Sequence, residues 1–361
     1  MAKKLTILLI CVLSIAFFQA TAVYADDNKI RGDFFIKNVV INGEKIVNYN
    51  LQYSIVLVED VMYLPLTREM CEIYGIEVEM DWENSVLKLF RTESTRKNIS
   101  DNNMKNDAKP LHFNAISDAT VFAYEKEVSY YIYNTMEKVE APEMRVGEID
   151  LKGLPLLETD KVLYIPLRAL SEDKHFDWDV YFYSYYGVSI GTSFNISAET
   201  FIDRKEALEN RGLVNYMIRI NSTIGPSYGQ QLVFLFKRAG EVYNVDPRLL
   251  MAVARTESRF NTGAIGRGGA AGMMQFMPRT GERYGLSVEQ LLDPKTGIDF
   301  GALYLSERIE AFEGSWLRAL SAYNQGSTRV NRGNYTYTYA NMVMANYERI
   351  EEYLVTHGFI L

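Results

Sequence analysis

From Gln230 onward the apolar positions recur with a helical period. The spacing predicts helices over 230–243, from Pro247 toward Ser258, near Pro278, from Pro294 through Leu305, over 316–323 and over 340–354. Asp246-Pro247 and Asp293-Pro294 place an N-cap acid and a proline at the first helical position. On the second of these helices Leu250, Val253, Ala254 and Glu257 fall at i, i+3, i+4 and i+7, so a carboxylate occupies the apolar stripe. A glycine-rich loop, Gly263 to Gly272, follows and is expected to be mobile. Upstream, residues 198–220 read as one amphipathic helix with Ser197 as cap, and Gly225-Pro226-Ser227 reads as a turn.

Before residue 193 the period shortens to two, the mark of half-buried strands. Tyr63-Leu64-Pro65-Leu66 recurs as Tyr164-Ile165-Pro166-Leu167, and Val86–Leu89 recurs roughly as Gly187–Ile190 at the same offset. Each copy runs from short front strands (39–43 and 121–124) through the Tyr-x-Pro-Leu strand end to a short helix (66–74 and 167–173). A strand hairpin then closes the copy. Polar residues 92–111 read as a mobile connector. The fold expected is multidomain: small mixed α+β repeats, mostly antiparallel sheet, followed by an all-α domain. The boundaries are 26–92 for the first repeat, 93–111 for the linker, 112–193 for the second repeat, 194–228 for a helical connector and 229–356 for the helical domain.

The first 25 residues stand apart. Lys3 and Lys4 precede an apolar run from Leu5 to Phe18, and Val23-Tyr24-Ala25 offers a small-residue cleavage site, the pattern of a secretory signal peptide. The expected location is therefore outside the cell. No second apolar stretch predicts a membrane span. Beyond the signal only Cys71 remains, so no intrachain disulfide is expected. Residues 26–228 carry a clear excess of acidic side chains, a poor surface for nucleic acid, whereas 229–361 is close to balanced. His112, His175 and His357 are widely separated, and no phosphate-binding loop follows a strand; neither metal nor cofactor is expected.

A carboxylate on an apolar stripe is costly to keep charged, so its pKa should rise, which suits a general acid for glycosidic cleavage. The alternative is a structural carboxylate paired with Arg255 or Arg259. Paired-carboxylate glycosidases need a second acid. Asp246 and Asp293 read as caps, Asp299 and Glu307 as exposed helix-face residues, and Glu282 is the remaining candidate.

Three motifs occur in order around this glutamate: Thr256-Glu257-Ser258-Arg259-Phe260-Asn261, Gly269–Pro278 with Gly272-Met273-Met274-Gln275 at its centre, and Ala322-Tyr323-Asn324-Gln325-Gly326. Together they resemble the soluble lytic transglycosylase family, whose fold is similar to goose-type lysozyme, over about 120 residues. The resemblance implies that Glu257 is the single catalytic acid/base. It implies that Ser258, Gly272, Met274, Gln275, Met277, Tyr323, Asn324 and Tyr339 are substrate-side residues, with the Tyr323 hydroxyl facing the glutamate. It further implies peptidoglycan glycan strands as partner and a 1,6-anhydro product formed without water. Gly266 departs from the pattern, because the family commonly has serine there. Hydrolysis on the same fold, and a wall-binding domain without activity, stay open as alternatives. The Tyr-x-Pro-Leu repeats, with Trp82 and Trp178 trailing them, resemble a stalk module named after the copper amine oxidase N-terminal domain, which implies a wall or envelope contact.

Overall fold

A computed structural model describes residues 29–92, 110–125, 129–132, 137–140, 144–192 and 197–360. The signal segment and nearly all of the polar linker lie outside these residues. The described chain divides into two compact units, one ending at Asp203 and one beginning at Arg204.

The first unit runs β1 (Ile30–Phe34), β2 (Asn38–Ile41), β3 (Glu44–Ile46), β4 (Val56–Val58), β5 (Val61–Pro65), α1 (Arg68–Tyr74), β6 (Ile76–Asp81) and β7 (Val86–Arg91). It continues with β8 (Leu111–Ile116), β9 (Thr120–Glu125), β10 (Ser129–Ile132), β11 (Glu137–Glu140), β12 (Met144–Ile149), β13 (Leu156–Thr159), β14 (Val162–Pro166), α2 (Leu167–Ser171), β15 (Asp179–Tyr183) and β16 (Gly187–Gly191). Strands β1-β4-β5-β14-β13-β8 close into a barrel. At its centre the two Tyr-x-Pro strands pair antiparallel, Leu64 opposite Ile165. Alternation sends Tyr63, Tyr164 and Phe113 into one apolar cluster and Leu64 and Ile165 into another.

The two sequence copies are not beads in series. The β6–β7 hairpin of the first adds in parallel to β9 of the second, and the β15–β16 hairpin of the second adds in parallel to β2 of the first. Each hairpin thus covers a strand edge of the other copy. The 26–92 and 112–193 modules are thus one interleaved body. Trp82 and Trp178 also part company: Trp82 is 54% exposed at the turn after β6, while Trp178 is buried against Tyr74 and Phe176.

The second unit is helical: α3 (Arg204–Ile220), α4 (Pro226–Tyr243), α5 (Pro247–Ser258), α6 (Pro278–Glu282), α7 (Val288–Leu292), α8 (Pro294–Ala311), α9 (Trp316–Gln325), α10 (Ser327–Asn331) and α11 (Thr338–Thr356). The unit starts at Arg204, ahead of the 229 expected for the helical domain. The supposed connector helix α3 buries Ala207, Leu213, Val214 and Met217 and packs on α4 and α11. Ser197 forms no side-chain cap; it precedes a short 3-10 turn, and α3 begins only at Arg204. Pro226 lies inside α4 at its first turn, where a missing N–H costs nothing, so the expected turn at 225–227 is a helix start.

Helix α5 is central. Leu249 through Ala254 are fully enclosed, and α4, α8 and α11 pack around it. Asp246 caps it by accepting from Arg248 N at 2.7 Å. Arg259, with φ 56°, ends it one residue past Ser258 and so leaves Glu257 in the last turn. Among the described residues no helix is long and apolar enough to cross a membrane.

Candidate active site

Glu257 is half-buried at the end of α5, and its Oε1 accepts a 2.6 Å hydrogen bond from the Tyr339 hydroxyl on α11. Burial pushes its carboxyl pKa up, and the Tyr339 bond pulls it part of the way back. Carbonyls at the C-terminal end of α5 also disfavour a negative charge there. Neither neighbouring arginine pairs with it. Arg255 lies over the Tyr216 ring at 5.3 Å, and Arg259 donates to Ile220 O at 3.1 Å.

The remaining carboxylates are held elsewhere. Asp293 accepts from Thr296 N at 2.8 Å as a cap. Asp299 is not on an exposed face: its side chain is half-buried and takes Arg238 Nη1 on both oxygens, at 2.7 and 2.8 Å. Glu307 accepts from the Tyr284 hydroxyl at 2.7 Å and from Arg308 Nη1 at 3.0 Å. Glu282 is exposed at the end of α6. The causes of the Glu257 shift are burial and Tyr339, with no carboxylate among them.

The glycine-rich segment is a pinned loop. Ala271 and Phe276 exchange backbone bonds at 2.9 and 3.1 Å, Gly272 N donates to Ala264 O at 2.9 Å, and Gly266 N donates to Ala270 O at 2.7 Å. Ser258 ties this loop to α5. Its hydroxyl donates to Met273 O at 2.8 Å, with Ala254 O at 3.2 Å, and accepts from Asn261 N at 3.1 Å. These bonds make Ser258 a brace that fixes the Glu257 turn.

Gly272 and Met274 are also framework. Gly272 has φ 79°, and a Cβ there would overlap the Leu291 carbonyl. Met274 is buried and packs where Gly301 of α8 leaves room. Gln275 is different. Its Nε2 donates to Ala264 O at 3.1 Å and Gly272 O at 2.8 Å, which fixes the side chain. Gly266 is the space this side chain occupies, since a Cβ at 266 would overlap Gln275 Oε1. Met277 is 45% exposed beside the loop, and Asn324 is exposed near the end of α9.

The two tyrosines differ in what their hydroxyls bond. Tyr323 does not bond the glutamate: its hydroxyl donates to Met274 O at 3.1 Å. Tyr339 makes the bond, and its ring stacks on Tyr323 at 6.3 Å with 5° between planes. Burial, reinforced by the Glu257 charge, raises both phenol pKa values, so both hydroxyls stay protonated as donors. Motif reading also passed over Ser321 and Gln325, which hold the chain just before Tyr339. Gln325 exchanges two bonds with the Thr336 backbone, at 2.7 and 3.1 Å. The signal was present, because Gln325 adjoins Asn324 in the third motif. Among the described residues no group of His, Cys, Asp and Glu is placed to hold a metal.

Residues 234–341 match the Transglycosylase SLT domain family. The transglycosylase of Enterobacteria phage PRD1 is 39% identical over 108 residues, covering 30% of this chain and 40% of that protein. Invasion protein IagB of Salmonella typhi is 35% identical over 123 residues, covering 32% of this chain and 76% of that protein. The 70 kDa soluble lytic transglycosylase of Escherichia coli is a structural neighbour at TM-score 0.33 and 26% identity, covering 43% of this chain and 30% of the other. The chain belongs to the transglycosylase SLT family through its helical unit. The match spans less than half of the PRD1 protein, and the barrel unit lies outside the matched residues.

Proposed function

We propose that this chain is an exported peptidoglycan lytic transglycosylase that cleaves the β-1,4 bond between N-acetylmuramic acid and N-acetylglucosamine. The substrate class follows the names of relatives, among them the peptidoglycan transglycosylase gp16 of Escherichia phage T7, 39% identical over 101 residues. Export rests on the amino-terminal pattern of Lys3, Lys4, the 5–18 apolar run and Ala25.

One observation carries the reading: burial raises the Glu257 pKa and Tyr339 donates to it, while among the described residues no carboxylate contributes to its shift. The protonated acid gives its proton to the glycosidic oxygen as the C1–O bond breaks. The N-acetyl carbonyl of the muramic residue supports the charge at C1. Glu257, now a carboxylate steadied by Tyr339, takes the proton from the C6 hydroxyl. O6 then closes on C1 to give the 1,6-anhydro ring, and no water enters the balance. Gln275 Oε1, fixed beside Gly266, offers an acceptor to sugar N–H or O–H groups, while Met277 offers apolar surface. The barrel unit is assigned a wall or envelope contact.

Glu257→Gln tests the assignment. It should keep the fold, since an amide oxygen still accepts from Tyr339, and should lose at least a hundredfold of sacculus lysis. Unchanged lysis would remove Glu257 from the chemistry.

A further inference from the structure

Beyond the residues assigned to bond cleavage, the segment leading into α11 carries two tyrosines that the reaction does not use. Tyr337 is 42% exposed and stands at the N-cap position of α11, two residues before Tyr339. Tyr335 is half-buried and packs on the small apolar cluster of Phe312, Ala322 and Val330. Their rings meet edge-on at 5.2 Å and 80°, and their hydroxyls bond each other at 2.9 Å.

An exposed segment of this kind is ordinarily free to move, but here the intervening residue is clamped. Thr336 O accepts from Gln325 Nε2 at 2.7 Å and from Ser321 Oγ at 3.3 Å, and Thr336 N donates to Gln325 Oε1 at 3.1 Å. Ser321 and Gln325 lie one turn apart on α9, the helix that also carries Tyr323. One helix therefore positions the tyrosine pair and stacks on the tyrosine that binds Glu257. Nothing in the apolar core requires an exposed ring at 337. A rigid aromatic face with a polar rim, two residues before the tyrosine that bonds Glu257, has the chemistry that binds the apolar face of a pyranose at little conformational cost.

We propose that Tyr337, held by Tyr335 and the Gln325–Thr336 clamp, is a stacking subsite for an N-acetylhexosamine ring of the glycan strand outside the pair of sugars being cleaved. The inference rests on the proposed glycan-cleaving function and names one more point at which the strand is held.

Two measurements test it in the full chain. With soluble glycan strands, Tyr337→Ala should raise KM about five- to tenfold, the loss expected for one stacked ring, with kcat within twofold. Tyr337→Trp should keep KM near that of the parent. Unchanged KM in Tyr337→Ala, or equal impairment of both variants, overturns the subsite. The second measurement leaves the segment native. In Glu257→Gln protein, the hexamer of N-acetylglucosamine should protect Tyr337 from nitration by tetranitromethane, read by peptide mass spectrometry. Nitration unaffected by saturating hexamer overturns the subsite as well. Lysis that survives Glu257→Gln defeats the parent reading instead. Lysis lost in Glu257→Gln with Tyr337 inert defeats this inference alone.

Discussion

The Tyr339 hydroxyl donates to Glu257 Oε1 at 2.6 Å across 82 residues of sequence, and it is the one side-chain hydrogen bond that opposes the effect of burial on that carboxyl. In the proposed reaction, burial favours the protonated acid that would start it, whereas Tyr339 favours the carboxylate that would finish it. The pair lets one group serve both halves of the cycle.

Tyr339→Phe keeps the ring that stacks on Tyr323 and removes only the donor. The ionised form loses support, so the Glu257 pKa rises further. The alkaline limb of the kcat/KM profile should move to higher pH, and kcat should fall roughly tenfold, the scale of a lost hydrogen bond to a charged group. A limb that stays in place or moves to lower pH contradicts the role given to Tyr339.

The same shift affects stability. The folded pKa of Glu257 lies above its ordinary value of 4.5, so the unfolded state releases this proton first as pH rises. The group costs the fold nothing below the ordinary carboxylate range. The penalty grows as pH rises from there through the folded pKa and persists above it. Glu257→Gln should therefore melt higher than the parent at neutral pH, with the gap closing in acid. Thermal melts across that range check the sign.

Gly266→Ser introduces the residue common in the family, yet it should not improve this protein. Its Cβ overlaps Gln275 Oε1, and Gln275 cannot swing away without giving up its bonds to Ala264 O and Gly272 O. A loss of about 1–3 kcal/mol and weaker lysis are expected. Adding Gln275→Ala should recover most of the stability but not the lysis. A double-mutant cycle with no coupling would show that the two positions are independent.

Gly272→Ala should be worse for the fold. It demands φ near 79° of an L-residue and drives a methyl into the Leu291 carbonyl. About 2–4 kcal/mol should be lost, read as a lower denaturant midpoint at unchanged m.

Sequence pattern carried the site further than the fold. The placement of Glu257 was legible because a helical stripe has a fixed period and its N-cap, Asp246, stands just before Pro247. The roles of Tyr323 and Tyr339 were not, because which hydroxyl reaches the carboxylate depends on how α9 and α11 cross. The framework contacts of Ser258, Gly272 and Met274 were not legible either, because motif membership does not say which backbone or side chain a residue packs against. In the first unit alternation located strands such as β5 and β14, but the Tyr-x-Pro offset marked only a repeat, and that the two strands pair with each other was not legible. Which sheet each hairpin joins is a choice between two chemically equivalent edges, and nothing local in the strands encodes it.

Product analysis reaches the central claim most directly. Sacculi digested by the full chain, with Glu257→Gln as control, would be separated and weighed by mass spectrometry. The account predicts muropeptides ending in 1,6-anhydro-N-acetylmuramic acid, lighter by one water than the hydrolysis products, and none from the control. Reducing N-acetylmuramic ends would contradict it and would require an ordered water and a second base near Glu257.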